Sequence, residues 1–160
     1  MTSVYQEAMI SRQNALTLSL FFLLMAITAF SGTQFQPGEW YASLEKPSWN
    51  PPNWVFGPVW TVLYVMIALA GWLNWRTGSN ARQPAAFIWF AQVVFNGLWS
   101  AVFFGLQMPF AALLVVLILL GLIIAFLIAT PSRPARYLFV PYALWVTFAT
   151  ALNGAIVWLN

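Results

Sequence analysis

The stretch FAALLVVLILLGLIIAFLIA, residues 110–129, carries no charged or amide side chain anywhere along its length. A helix must present about 20 apolar residues to cross the hydrocarbon core of a bilayer, whereas a surface helix of a soluble protein keeps a polar face. This run therefore reads as a membrane-spanning helix. A transmembrane β-strand needs only about ten residues, apolar and polar in alternation, and nothing here alternates.

Working outward, the quoted run extends over about 109–130, and four more like it occupy about 14–32, 54–75, 84–106 and 137–160. Composition agrees: 62% of the 160 residues are hydrophobic and 6% charged, against roughly a quarter charged in soluble domains. The predicted fold class is all-α, an integral membrane bundle of five transmembrane helices forming one domain over residues 1–160. The first run is longer than a usual signal core, and SGTQFQPGEW behind it offers no small-residue cleavage site, so it is read as a retained span. Short connections then make sequential helices antiparallel neighbours.

Arg12, Arg76, Arg82, Arg133 and Arg136 fall on the amino-terminal side of such a bundle, and Lys46 alone on the other. Basic residues in short loops stay cytoplasmic, so the amino terminus is expected inside, the first long loop and the carboxy terminus outside, in a bacterial cell membrane. The net charge of +3 reflects this topology; the expected partner is the lipid bilayer, with no nucleic acid.

The chain has no Cys and no His. That excludes zinc sites, iron–sulfur clusters, thiol catalysis, His-ligated haem and any Ser-His-Asp arrangement, and no metal or obligatory cofactor is expected. The only carboxylates are Glu7, Glu39 and Glu45, none inside a predicted span. Ion-coupled carriers keep titratable groups at membrane depth, so an uncharged cavity is the better-supported site.

Residues 36–53 form the one long connection, interrupted by Pro37, Gly38, Pro47, Pro51 and Pro52. Proline lowers the entropy of the open chain and tryptophan brings a large apolar face, which together describe a structured lid. Trp49 and Trp54 fit either that lid or an interfacial aromatic belt. At 100° per residue, three faces gather aromatic and amide groups. They are Phe56, Trp60 and Tyr64 on the second span; Gln92, Asn96, Trp99 and Phe103 on the third; and Tyr142, Trp145, Ala149 and Asn153 on the fifth. Buried amides must be satisfied, so these faces point inward, either as helix-to-helix packing or as the wall of a cavity for a flat, largely apolar ligand. On the back of the third span, Gly97, Ala101 and Gly105 recur every fourth residue, a spacing that permits close helix approach in a homodimer or within the chain.

The motifs WYASLEKPSWNPP, FGPVW, QVVFNGLWSAVFFG and VPYALWVTFATALN, in that order, resemble the signatures of the TspO/MBR family, the tryptophan-rich sensory and translocator proteins that include the peripheral-type benzodiazepine receptor. The resemblance covers nearly everything from Trp40 onward. It implies a five-helix bundle, often dimeric, with a cavity under the first long loop that takes porphyrins such as protoporphyrin IX and haem, as ligand or substrate, and benzodiazepine-type ligands. By the same resemblance, Trp60 and Trp145 match tryptophans implicated in light-dependent porphyrin degradation, and Asn96, Trp99, Ala149 and Leu152 match ligand-pocket positions. With Trp49 and Pro51 from the lid and Phe56, Tyr64 and Tyr142 from the aromatic faces, these make up the expected ligand site. The functions implied are tetrapyrrole sensing, transport or disposal; a light-driven porphyrin-degrading enzyme and a transporter of other hydrophobic ligands such as sterols are the alternatives. The family's sterol segment needs a Tyr and then a basic residue after the ATALN stretch, and GAIVWLN has neither, so a weak or absent sterol site is expected.

Overall fold

The computed structural model describes residues 2–35, 37–78, 80 and 82–160, with the backbone alone for residues 2–11. The chain forms α1 (Thr2–Thr33), α2 (Glu39–Ser43), α3 (Asn53–Trp75), α4 (Arg82–Ser100) running on as a π-helical segment (Ala101–Gly105), α5 (Pro109–Ala129) and α6 (Arg133–Leu159). All but the short α2 are long and apolar enough to cross a membrane, and there is no strand among the described residues.

Two helices begin earlier than their apolar runs. Backbone hydrogen bonding in α1 continues back to Thr2 through polar residues, because hydropathy marks where a helix enters the hydrocarbon and not where it starts. In α6 the Ser132 hydroxyl accepts a hydrogen bond from Ala135 N at 3.3 Å, with proline in the first turn, an N-cap that starts the helix at Arg133.

The helices close into a ring in the order α1, α3, α6, α5, α4: α1 packs on α3 and α4, α5 lies between α4 and α6, and α3 meets α6. The core is aromatic and branched aliphatic, with Trp89, Ile67, Ile123, Phe126, Phe139 and Tyr142 almost wholly buried. Trp89 donates its indole N–H to the Ile67 carbonyl at 3.0 Å. Its ring lies so close to Gly71 that a Cβ there would come within 2.4 Å of it. A glycine is therefore what lets α4 seat a tryptophan against α3.

The stripe of small residues on α4 and its π-helical continuation meets α1 and its extension at both glycines. Gly97 faces Thr28 and Ser31 of α1, and a Cβ at Gly105 would stand 2.7 Å from the Phe35 ring. Ala101 opens the π-helical segment and accepts Leu106 N at 2.9 Å. The face that the spacing offered to a second copy is thus packed, at both glycines, against α1 and its extension. The turn into α5 runs through Gln107 at φ 56°, a left-handed position more often filled by glycine.

Candidate functional site

A cavity of about 510 Å³ opens beneath the lid, inside the ring. Its volume falls in the range of roughly 300–1,000 Å³ usual for small-molecule sites. One wall is the α3 face, where Phe56, Trp60 and Tyr64 stand a helical turn apart. The Trp60 ring lies 5.3 Å from Tyr64 and 6.2 Å from Tyr142. Phe56 meets Trp145 edge-on at 5.8 Å, joining this wall to α6, which adds Ala149, Leu152 and Asn153.

The opposite wall comes from α4, through Asn96, Trp99 and Ser100, and from its π-helical continuation. A π segment takes more residues per turn than an α-helix and so shifts the register of the side chains after it. Phe103 and Phe104, consecutive residues, both line the cavity here, with Phe103 stacked on Trp99 at 5.1 Å.

Hydrogen bonds fix the polar groups among these rings. Tyr64 OH donates to Asn96 Oδ1 at 3.2 Å, Asn96 Nδ2 donates to Tyr142 OH at 2.8 Å, and Tyr142 OH donates to Gln92 Oε1 at 2.9 Å. Trp99 Nε1 donates to Asn153 Oδ1 at 3.0 Å, and Asn153 Nδ2 donates to the Pro109 carbonyl at 2.9 Å. Two buried donors have no partner among the described residues: Gln92 Nε2, in the core, and Trp145 Nε1, on a residue of the cavity wall. A buried N–H left unmade costs about 1–3 kcal/mol, which an acceptor on a ligand would recover.

Among the described residues, no charged side chain lines the cavity. Lys46, the one basic residue of the lid, donates to the carbonyls of Ala42 (3.3 Å) and Leu44 (2.8 Å) and sits 4.8 Å over the ring of Tyr41. Tyr41 reaches the cavity from α2. Burial raises its phenol pKa above the usual value, and the hydrogen bond to Asn50 offsets this in part.

Of the residues expected at the site, Phe56, Trp60, Tyr64, Asn96, Trp99, Trp145, Ala149 and Leu152 line the cavity. Tyr142 is fully buried behind Trp60 and holds Asn96. Trp49 and Pro51 are outside the lining; Trp49, about half exposed, lies edge-on to Phe148 at 5.7 Å and fastens the lid to α6. Sequence reasoning missed the contributions of Ala29, Gly32 and Thr33 from α1 and of Val116 and Leu119 from α5. The three on α1 are small residues at helical spacing, a signal that a groove rather than a packed seam runs along that helix.

Flat aromatic walls and a few orienting amides give the cavity the character of a site for a flat, largely apolar guest. The chain has no His or Cys, and among the described residues Tyr41 and Tyr64 are the only phenols in the lining.

The model of the TspO/MBR family matches residues 15–159. The chain is 42% identical to the tryptophan-rich protein TspO of Chlorobaculum tepidum over 91% of its length and 96% of that protein's. It is 39% identical to the tryptophan-rich protein TspO of Archaeoglobus fulgidus, over 92% and 99% of the two chains. It is 36% identical to the translocator protein of Homo sapiens, over 85% of each.

Proposed function

This chain is an integral membrane protein that belongs to the TspO/MBR family, and on that premise we propose that its cavity binds porphyrins, protoporphyrin IX and haem among them, in tetrapyrrole sensing, transport or disposal. The observation that carries the reading is the aromatic enclosure of about 510 Å³, lined by Trp60, Tyr64, Trp99 and Trp145 together with the amide of Asn96. Flat rings stack against flat rings, and amides held by a fixed network orient a polar edge. The propionates of a porphyrin remain outside the apolar part, on the lid side, where Lys46 is the nearest cation in sequence. Benzodiazepine-type ligands, also flat and largely apolar, suit the same enclosure.

Purified protein titrated in darkness with protoporphyrin IX should give saturable quenching of tryptophan fluorescence. Haem should bind with an affinity within about tenfold of the metal-free ring, because no strong axial ligand faces it. An affinity for haem higher by several orders of magnitude, or no saturable binding, overturns the reading.

A second reading has one specific observation in its favour: both Trp60 and Trp145 belong to the cavity wall, so two oxidisable indoles would flank a light-absorbing guest. In that reading the protein degrades the porphyrin photochemically, with the macrocycle supplying the excited state and dioxygen the oxidant. Illumination after dark saturation separates the two. Loss of the porphyrin band that disappears in a Trp60→Phe, Trp145→Phe variant still able to bind supports the enzyme; a band equally stable, or equally labile, in both proteins supports binding alone.

A further inference from the structure

At the end of the bundle away from the lid, Asn74 is buried to 1% exposure in the last turn of α3. Its Nδ2 donates to the Arg82 carbonyl at 3.3 Å, at the start of α4, and its Oδ1 accepts from Thr130 Oγ1 at 2.9 Å, just past the end of α5. Thr130 in turn accepts Ser132 N on its hydroxyl at 3.3 Å and Arg136 Nη2 on its carbonyl at 3.0 Å. Trp72, half a turn before Asn74, donates its indole N–H to the Asn14 carbonyl of α1 at 3.2 Å. One buried amide, one indole and Thr130 thus tie every spanning helix together at this rim. All five arginines of the chain lie within a few residues of those ties.

Among the described residues, the guanidinium groups of the rim have no carboxylate partner. Arg76 lies 4.6 Å over the Trp72 ring; Arg82 lies 4.8 Å over the Trp75 ring and donates to the Trp75 carbonyl at 2.7 Å. A guanidinium carries five N–H donors, so Arg82 and Arg136 have most of theirs left, and the side chains of Arg76 and Arg133 make no hydrogen bond among the described residues. The carboxylates with described side chains, Glu39 and Glu45, are in the lid region at the far end. Gathering like charges at one rim is unfavourable unless anions come to it, and the forked geometry of arginine suits phosphate oxygens. Bare apolar surface adjoins the rim: Phe87, Ile128 and Tyr137, each about three-quarters exposed, follow or precede it by about one and a half turns or less on α4, α5 and α6.

We propose that this rim is a binding site for anionic phospholipid, its arginines taking the headgroup phosphate while the acyl chains lie on the adjoining apolar faces. Neither the cavity nor its ligand enters this inference. A free phosphate would satisfy the arginines but leave the apolar surface unused.

The test uses the full-length chain in neutral detergent, titrated separately with phosphatidylglycerol, phosphatidylcholine and inorganic phosphate. Thermal unfolding and native mass spectrometry provide the readouts. Phosphatidylglycerol should bind in preference to phosphatidylcholine and raise Tm further, with the preference shrinking in high salt. Arg76→Gln combined with Arg133→Gln removes two cations whose side chains make no hydrogen bond among the described residues; it should cut the preference roughly ten- to thirtyfold, at about one charge interaction per arginine. Porphyrin binding in that variant should be unchanged. Equal binding of the two lipids by the wild-type protein overturns the proposal without need of any variant, as does an undiminished preference in the double variant. Phosphate that reproduces the Tm shift would assign the rim to a soluble anion and reject the lipid.

Discussion

Tyr142 holds the cavity's amide from behind: its hydroxyl accepts from Asn96 and donates to Gln92 while its ring packs on Trp60 and Phe139. Tyr142→Phe keeps the ring and strands both partners in a buried setting. The expected loss is about 1–3 kcal/mol of stability, since the unpaired groups keep their desolvation cost. Ligand affinity should fall as well, because Asn96 loses the shorter of the two bonds that fix it. Thermal unfolding of the apo protein and a dark titration measure the two effects; an unchanged affinity would mean that the amide does not orient the ligand. Gly71 poses a steric question instead. A methyl group there would run into the Trp89 ring at 2.4 Å and Phe21 at 2.7 Å, so Gly71→Ala should destabilise by about 1–3 kcal/mol as an overpacked contact. Because Trp89 supplies the nearest atoms, Trp89→Phe in the same chain should cost less than the two single changes added together. Strict additivity would show that the clash is relieved by backbone movement and not by the indole.

At the scale of elements, the lid is held at several points. Tyr41 is buried against Phe103 and Phe104, Trp49 rests on Phe148, and the side chain of Asn160 pairs with the backbone of Glu45, accepting its N–H and donating to its carbonyl, each at 3.0 Å. The Asn160 pair is exposed and its bonds worth little globally, so Asn160→Ala should leave Tm nearly unchanged. It should speed ligand dissociation, by a factor of a few if each bond contributes about 0.5 kcal/mol to lid closure; stopped-flow release reads this directly. Tyr41 adds a pH limit. Its folded-state pKa is raised by burial, so its contribution is complete below the ordinary phenol pKa and is lost as pH rises through the folded value. Dissociation should therefore quicken at strongly alkaline pH in the wild type and not in Tyr41→Phe. The prolines and tryptophans of residues 36–53 pointed to a lid, but of the residues expected at the ligand site Trp49 and Pro51 stand outside the cavity lining. Composition shows that an aromatic residue is in a loop, not which of its neighbours it will cover. The π-helical segment, Ala101–Gly105, was not legible at all. It changes the helical period in mid-run while the residues stay apolar, and hydropathy is blind to that change.

For the whole molecule, the five spans were readable because a bilayer demands long apolar runs, whereas the cyclic order α1, α3, α6, α5, α4 was not. In a uniformly apolar helix such as α5 every face looks alike in sequence, so Val116 and Leu119 gave no sign that they close one side of the cavity. The Gly97 and Gly105 stripe was ambiguous for the related reason that spacing specifies a close approach and not the identity of the approaching helix. A ring built around a cavity of about 510 Å³ also forgoes packing that a solid bundle would have, and that deficit is open to experiment. Ala149 stands on the α6 wall with Trp145 one turn before it. Ala149→Phe would put an aromatic ring into space otherwise available to the ligand. If the walls are as rigid as their hydrogen-bond network implies, the added ring buries apolar area that the empty cavity leaves unused. The apo protein should then gain about 1–2 kcal/mol. Wild-type protein at a hundredfold excess of ligand over Kd should gain about 2.7 kcal/mol from binding, and the filled variant should show little of that shift. Thermal unfolding of both proteins, with and without protoporphyrin IX, gives four values that decide the matter. A higher apo Tm with a vanished ligand shift places the ligand in this cavity. A ligand shift that survives in a stably folded Ala149→Phe protein places the ligand elsewhere on the molecule.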